Sequence, residues 1–125
     1  MTIIESVFKS KLFILFMVLP FSLKAELSIS DPAPSFELLD QNGNTHKLTD
    51  YNGDWLVLYF YPKDDTPGCT TEACSFRDDI YKISELKAKI VGISTDNVES
   101  HEKFAKKYSL PFPLLSDKDA LVAKS

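Results

Sequence analysis

Two apolar runs without alternation, separated by a stretch of helical period, constrain the fold of this chain most. Residues 55–61 (WLVLYFY) and 90–95 (IVGIST) show no apolar–polar alternation, which is typical of strands covered on both faces. From Thr66 to about Lys89 apolar residues recur at three- and four-residue steps. These positions are Ala73, Phe76, Ile80, Ile83 and Leu86. Strand, helix and strand predict a β-α-β unit in a mainly parallel sheet with right-handed crossovers.

The segment before the first run predicts a hairpin. Residues 36–39 and 45–48 are expected to form two short strands. Asn42-Gly43 lies at the centre of the turn between them, and this dipeptide tolerates positive φ. Residues 49–54 are polar and contain a glycine, so they are expected to form a loop.

The segment after the second run continues the alternation of strands and helices. Asp96 or Asn97 is expected to cap a second helix that runs to about Ser109. Residues 112–115 predict a short strand, and residues 116–119 a turn followed by the start of another helix. The expected class is therefore α/β, with a mainly parallel or mixed sheet flanked by helices.

The last helical pattern has barely begun at Ser125. One edge of the expected sheet would then lack cover, and an uncovered edge favours aggregation. We therefore expect residues 26–125 to form one incomplete domain whose C-terminal part is missing.

Composition and charge narrow the possible functions. The chain has 125 residues, of which 44% are hydrophobic and 26% charged, as expected for one globular domain. The net charge is −4 and Arg77 is the single arginine, so a nucleic-acid partner is excluded. No His/Cys cluster has metal-ligand spacing, so no metal site is expected. His46 and His101 lie on polar segments, and we expect both to be solvated.

The N-terminal 25 residues predict a signal peptide. Lys9 and Lys11 precede the apolar residues 12–23 (LFILFMVLPFSL), and a small residue follows at Ala25. A membrane-spanning helix needs about 20 apolar residues, and Pro20 interrupts this run. We expect cleavage after Ala25 and export to the periplasm or medium. An uncleaved anchor or an unrelated leader is the alternative.

Both cysteines follow the first apolar run closely. Pro62, Thr66 and Cys69 stand in the spacing Pro-x-x-x-Thr-x-x-Cys. Thr66 is a good N-cap and Pro67 a favoured first helical residue, so Cys69 should fall in the first turn of a helix. Free N–H groups and the helix dipole favour an anion there, and only the thiolate of a cysteine attacks. We therefore predict that Cys69 is a reactive thiolate.

The second thiol, Cys74, comes five residues after Cys69. In a helix this spacing separates the residues by about 140° around the axis and about 7.5 Å along it. A disulfide needs Cα atoms within about 7 Å, so an intact helix cannot hold the bond. Either the helix does not span both residues, or the bond forms only when a segment unwinds. The alternative is a structural disulfide in an exported protein.

The segment 59–74 (YFYPKDDTPGCTTEAC) closely resembles the active-site segment of peroxiredoxins of the bacterioferritin-comigratory-protein (peroxiredoxin Q) type. The resemblance covers residues 31 to about 123, including DPAPSF at 31–36 and VGIS at 91–94. It implies a thioredoxin-like fold and an antioxidant thiol peroxidase that reduces hydrogen peroxide and organic hydroperoxides.

The resemblance also implies a role for each site residue. Cys69 matches the peroxidatic cysteine, which becomes a sulfenic acid, and Cys74 matches the resolving cysteine, which condenses with it to an intramolecular disulfide. Thr66 matches the residue that binds thiolate and peroxide oxygen, and Pro62 matches the proline that shields the site. A thioredoxin-type protein would reduce the disulfide. No cofactor is implied, and a monomer is expected.

One departure from the family concerns an arginine. The family places an arginine from a later strand beside the peroxidatic sulfur, and this sequence lacks that part. Arg77 is a poor substitute, because eight residues of helix put it about 12 Å from Cys69 along the axis. A chain ending at Ser125 is expected to have weak or no activity, and a longer one to be active. The alternatives are a thiol–disulfide oxidoreductase, which usually carries Cys-x-x-Cys, and an inactive truncated thioredoxin-fold fragment.

Overall fold

The structure, a computed structural model, describes residues 28–125. Residues Pro32–Ser125 form one compact unit. The predicted signal peptide, residues 1–25, lies outside the described residues. In the described part of the chain, no helix is both long and apolar enough to cross a membrane.

The described residues form an antiparallel hairpin, a parallel sheet and three helices. The hairpin pairs β1 with β2, and the sheet has the strand order β3-β4-β5 with both pairs parallel. The strands are β1 Glu37–Leu39, β2 Thr45–Lys47, β3 Trp55–Phe60, β4 Ala88–Ser94 and β5 Leu114–Ser116. The helices are α1 Pro67–Asp78, α2 Ile80–Glu85 and α3 Val98–Tyr108. The predicted α/β class and the β-α-β series are confirmed.

The hairpin has the predicted turn. Leu39 pairs with Thr45, and Gly43 adopts a φ of 79°, a region that glycine enters without steric cost. The Asp40 carboxylate accepts the backbone N–H groups of Asn42 and Asn44 at 2.8 and 2.9 Å, which closes the turn. The loop expected at residues 49–54 is regular in part, because a 3-10 helix runs from Leu48 to Tyr51.

Strand β4 lies at the centre of the parallel sheet, and its alternate residues enter two hydrophobic clusters. Ile90 belongs to the cluster that contains buried residues of α1 and α3. Val91 and Ile93 belong to the cluster that contains Phe36 and Tyr51. Because successive strand residues point to opposite faces, the two clusters cover the two faces of β4. The predicted burial of this strand is confirmed.

The prediction that the first apolar run is covered on both faces is confirmed only in part, since Tyr59 packs in one hydrophobic cluster and Leu56 and Leu58 pack against the other. The strand ends at Phe60, which is 50% exposed, and Trp55 is 77% exposed. Among the described residues β3 pairs only with β4, so its other edge carries no neighbouring strand. The apolar run therefore lies at a sheet edge in this part of the chain.

The prediction of a single helix from Thr66 to about Lys89 is wrong. The chain leaves helical geometry at Asp79, whose φ and ψ are −95° and 7°, and β4 has already begun at Ala88. Lys87 turns the chain into β4 with a φ of 54°. Leu86 lies beyond α2 and is 72% exposed, so it does not belong to the predicted apolar stripe.

The C-terminal elements agree with prediction except at the end. Asn97 caps α3, since its side chain accepts the Ser100 N–H at 2.8 Å. The strand expected at residues 112–115 is shifted to Leu114–Ser116. The helix expected after it is not formed, and turns follow instead. The buried Asp117 carboxylate accepts backbone N–H groups from this segment and stabilises the turns.

Candidate active site

Helix α1 begins where the sequence predicts. Pro67 is its first residue and Thr66 is the N-cap, with extended backbone angles of −90° and 153°. The Thr66 hydroxyl donates to the Lys63 carbonyl at 3.0 Å and does not cap the helix through its side chain. Cys69 is the third helical residue, in the first turn, where backbone N–H groups lack intrahelical acceptors. Cys69 therefore lies at the end of α1 that carries free N–H donors.

The Cys69 side chain faces the hydrophobic cluster on the sheet. Cys69 is 9% exposed and belongs to the cluster that contains Tyr59, Tyr61 and Ala73. The Tyr59 hydroxyl is buried and has no hydrogen-bond partner among the described residues. Burial, followed by the nearby acidic groups, raises the pKa of Tyr59, so its hydroxyl stays protonated. Water access to the first turn of α1 is therefore limited on its inner side.

Cys74 lies on the same uninterrupted helix as Cys69. Both cysteines are free, and Cys74 is only partly buried. The alternative that no helix spans both residues is therefore excluded. Because α1 holds the two thiols five positions apart, a bond between them requires part of the helix to unwind.

Pro62 lies beyond the end of β3 and is exposed. It lines a cleft of about 320 Å³ at the carboxyl ends of β3 and β4. Tyr61, Ser94 and Thr95 also line this cleft, and Cys69 does not. Pro62 and Thr66 thus flank the loop that leads into α1, and their catalytic roles stay predictions.

A buried polar network around Asp64 holds the loop between β3 and α1 in place. The Asp64 carboxylate accepts the Tyr61 hydroxyl at 2.7 Å, the Ser100 hydroxyl at 2.7 Å and His101 Nδ1 at 2.8 Å. Burial opposes ionisation of Asp64, but the hydrogen bonds from His101, Tyr61 and Ser100 outweigh it and lower the pKa of the carboxyl. The Asp64 backbone N–H also donates to Asp96 at 2.8 Å.

The neighbouring Asp65 is held by the other end of α3. Its backbone has a φ of 55°, which is unusual for a residue with a side chain. Lys107 Nζ lies 2.9 and 2.7 Å from the two carboxylate oxygens, and the Tyr108 hydroxyl donates at 2.6 Å. These hydrogen bonds lower the pKa of Asp65. The two acidic residues before Thr66 therefore anchor the loop to α3.

The prediction that both histidines are solvated is wrong. His101 is fully buried against Asp64, and its Nε2 atom has no partner among the described residues. His46 contacts Asp40 at 2.9 Å and the Tyr51 hydroxyl at 2.7 Å. The spacing of His101 from the apolar residues at 104, 105 and 108 places it on the buried face of α3, and this signal is present in the sequence.

Arg77 is engaged at the far end of α1. Its Nη1 donates to the Tyr108 carbonyl at 2.7 Å, and its Nε donates to Asp78 at 2.9 Å. The guanidinium is thus directed to the last turn of α3. Within residues 28–125, no cluster of three or more His, Cys, Asp and Glu side chains is arranged to hold a metal ion.

Residues 29–125 match the model of the AhpC/TSA family. The chain belongs to this family. Peroxiredoxin Bcp of Bacillus subtilis (strain 168) is 52% identical over 99 residues, which are 79% of this chain and 63% of that relative. The chloroplastic peroxiredoxin Q of Populus jackii is 49% identical over 100 residues, covering 80% of this chain and 47% of the relative. The resemblance to peroxiredoxins of the Bcp and Q type is confirmed.

The fold of this chain is similar to the crystal structure of peroxidoxin BcpB from Mycobacterium tuberculosis. It aligns with a TM-score of 0.72 and 47% identity over 74% of this chain and 61% of that one. The expected thioredoxin-like α/β fold is thereby confirmed. The chain spans about half to two thirds of the length of these relatives.

Proposed function

We propose that this protein is a thiol peroxidase that reduces hydrogen peroxide and organic hydroperoxides, with Cys69 as the attacking thiolate and Cys74 as the resolving thiol. The observation that carries the proposal is the placement of Cys69 in the first turn of α1, behind the Thr66-Pro67 start, with a free Cys74 on the same helix. Membership of the AhpC/TSA family and the similarity to named peroxiredoxins support it.

The first step is attack of the Cys69 thiolate on one peroxide oxygen. The S–O bond forms as the O–O bond breaks, and both electrons of that bond leave with the alkoxide or hydroxide, which takes up a proton. The sulfur is oxidised to a sulfenic acid, and the hydroperoxide is reduced to an alcohol or water. We assign Thr66 to bind the reacting oxygens, since its hydroxyl stands at the helix start, and Pro62 to shield the site.

The second step joins the two sulfurs. The Cys74 thiolate attacks the Cys69 sulfur, the S–S bond forms, and the S–O bond breaks with loss of water after protonation. A thioredoxin-type dithiol protein then reduces the disulfide and becomes oxidised itself. No cofactor or metal enters either step, and we propose that the protein acts as a monomer.

The test distinguishes the roles of Cys69 and Cys74 in the full chain. Stoichiometric hydrogen peroxide is added, sulfenic acid is trapped with a cyclic dione, and the modified residue is located by mass spectrometry. We expect the dione adduct on Cys69 in Cys74→Ser, and no adduct in Cys69→Ser. Peroxide consumption with thioredoxin and its reductase should be abolished in Cys69→Ser, whereas Cys74→Ser should block only recycling.

The matched control is Ser75→Ala, which alters an exposed side chain beside Cys74 that bonds only within α1. It should retain the wild-type rate of sulfenic acid formation and of disulfide formation. Unchanged peroxide consumption in Cys69→Ser, or equal rates of oxidation of Cys69 and Cys74 in the wild type, would refute the assignment.

We also propose that residues 1–25 act as a cleaved signal peptide that exports the protein. The charged start and the apolar run of residues 12–23 support this proposal. N-terminal sequencing of the protein recovered from a periplasmic fraction should begin at Glu26. Recovery of the intact N-terminus from the cytoplasm would refute it.

A further inference from the structure

We propose that Arg77 is a positioning residue for the resolving step. Its bond to the Tyr108 carbonyl holds Cys74 on intact α1 and thereby sets the rate at which Cys74 reaches Cys69. The inference rests on the proposed function, because it names the contact that must break before the two thiols can join.

The start of α1 is anchored firmly. Three side chains donate to the Asp64 carboxylate, and two further side chains bind the Asp65 carboxylate. Tyr61 comes from the chain just beyond β3, and the other donors come from α3. Because the Asp64 part of this anchor is buried, opening it would leave several polar groups without partners. Cys69, four residues after Asp65, is thus expected to keep its place.

The far end of α1 is held much less firmly. The bond from Arg77 to Tyr108 is the one side-chain hydrogen bond that α1 makes to another element within residues 28–125. The chain then leaves helical geometry at Asp79, and α2 contains no buried residue. Ala73 is buried and Phe76 partly so, and both pack on the cluster beneath α1. Unwinding therefore starts most easily at the end that carries Cys74.

Tyr108 connects the two ends of the thiol-bearing segment. Its hydroxyl donates to Asp65 before α1, and its carbonyl accepts from Arg77 in the last turn of α1. Movement of Cys74 towards Cys69 breaks the second contact and leaves the first in place. Loss of Arg77 should therefore lower the barrier to the disulfide without altering the position of Cys69.

A role of Arg77 that depended on its charge would change the rate of disulfide formation in the opposite direction, so the test can distinguish the two roles. Arg77 lies three residues after Cys74 on α1, a spacing at which two side chains are neighbours on the helix surface. If Arg77 served to stabilise the Cys74 thiolate, its removal would slow disulfide formation. If it holds the helix, its removal accelerates that step. The sign of the change decides between the two roles.

The kinetic test compares Arg77→Ala, Arg77→Lys and Lys82→Ala in the full chain. Lys82→Ala is the control, because it removes one positive charge from an exposed pair between α2 and Asp79. After one equivalent of hydrogen peroxide, Cys69 sulfenic acid and the disulfide are followed by quenching and mass spectrometry. We expect Arg77→Ala to accelerate disulfide formation about three- to tenfold, the effect of losing one partly exposed hydrogen bond. Sulfenic acid formation should keep its wild-type rate.

Arg77→Lys retains the charge and loses the planar donor, so it should also accelerate disulfide formation. A slower step in Arg77→Ala, or a wild-type rate in both Arg77 variants, would overturn the proposal. Acceleration by Lys82→Ala equal to that by Arg77→Ala would also overturn it.

A second measurement does not depend on peroxide chemistry. In glutathione buffers, one oxidised glutathione and the two protein thiols exchange with the protein disulfide and two reduced glutathiones. The equilibrium constant for the Cys69–Cys74 disulfide should rise about three- to tenfold in Arg77→Ala, because the helical dithiol form is less stabilised. An unchanged constant would overturn the inference. Absence of sulfenic acid at Cys69 in every variant would instead refute the peroxidase function.

Discussion

At the scale of single residues, the buried pair of Asp64 and His101 positions the loop that leads into α1 and Cys69. Asp64 receives donors from Tyr61, Ser100 and His101, so its ionised form is stabilised although it is removed from water. Loss of the carboxylate would leave these buried donors without their acceptor. The backbone at Asp64 is therefore held in one place, and Thr66 and Cys69 follow it by two and five residues.

The first prediction concerns Asp64→Asn. The pKa of Asp64 is lowered by folding, so its stabilising effect is present above the ordinary value of 3.8 and is lost as the pH falls through the folded-state value. The wild-type free energy of unfolding should therefore decrease below about pH 4. Asp64→Asn should be about 2–4 kcal/mol less stable at pH 7 and show a shallower acid dependence. Urea titrations from pH 2.5 to 7 measure both quantities.

The pH experiment has a control at an exposed carboxylate. Asp119 is exposed and makes no side-chain hydrogen bond among the described residues, so Asp119→Asn should keep the wild-type acid dependence. Asp40 also has a lowered pKa, because its bonds to Asn44 and His46 outweigh its burial, so some acid dependence should remain in Asp64→Asn. Equal stability of Asp64→Asn and wild type at pH 7 would contradict the prediction.

At the scale of elements, α3 organises the candidate site although it carries neither thiol. Ser100 and His101 bind Asp64, and two turns later Lys107 and Tyr108 bind Asp65. Residues seven positions apart lie on the same face of a helix, so one face of α3 contacts the whole loop before α1. The same helix also accepts the Arg77 bond at its end.

The second prediction concerns the start of α3. Asn97 accepts the Ser100 N–H, so Asn97→Ala should lower the free energy of unfolding by about 1 kcal/mol. Lys103→Ala removes an exposed pair with Glu99 at 2.7 Å and should cost much less stability than Asn97→Ala. Chemical denaturation of both variants measures the difference. A larger loss in Lys103→Ala than in Asn97→Ala would be inconsistent with a role for the cap.

At the scale of the whole molecule, the segment with both thiols is part of the main hydrophobic cluster. Cys69 and Ala73 are buried there, and the rings of Phe76 and Tyr59 lie 4.9 Å apart. Unwinding the Cys74 end of α1 moves Phe76 away from this cluster and exposes apolar surface. Formation of the disulfide should therefore cost stability beyond the helix itself.

The third prediction compares the reduced chain with the disulfide form. The oxidised chain should have a smaller far-ultraviolet helix signal and a lower free energy of unfolding, because part of α1 is unwound and Phe76 is displaced. Dithiothreitol should restore both values. Cys74→Ser treated with the same peroxide provides the control and should retain its helix signal. A disulfide form with unchanged helix content would contradict the unwinding model.

The sequence by itself determined the features that depend on neighbouring residues. The Asn42-Gly43 turn, the start of α1 after Thr66-Pro67 and the cap of α3 at Asn97 are all set by local backbone preferences. The position of Cys69 in the first turn follows from the second of these. The residues next to Cys69 in the sequence are therefore sufficient to place the proposed nucleophile in the first turn of α1.

Tertiary structure decided which polar residues meet. The contacts of Asp64 with His101, Asp65 with Lys107 and Arg77 with Tyr108 join residues that are 37, 42 and 31 positions apart. It also decided the exposure of Trp55 and Leu86, which depends on what packs against each apolar side chain. Partners across such separations are not encoded in local periodicity, because these residues meet only when α3 packs beside α1 and the loop before it.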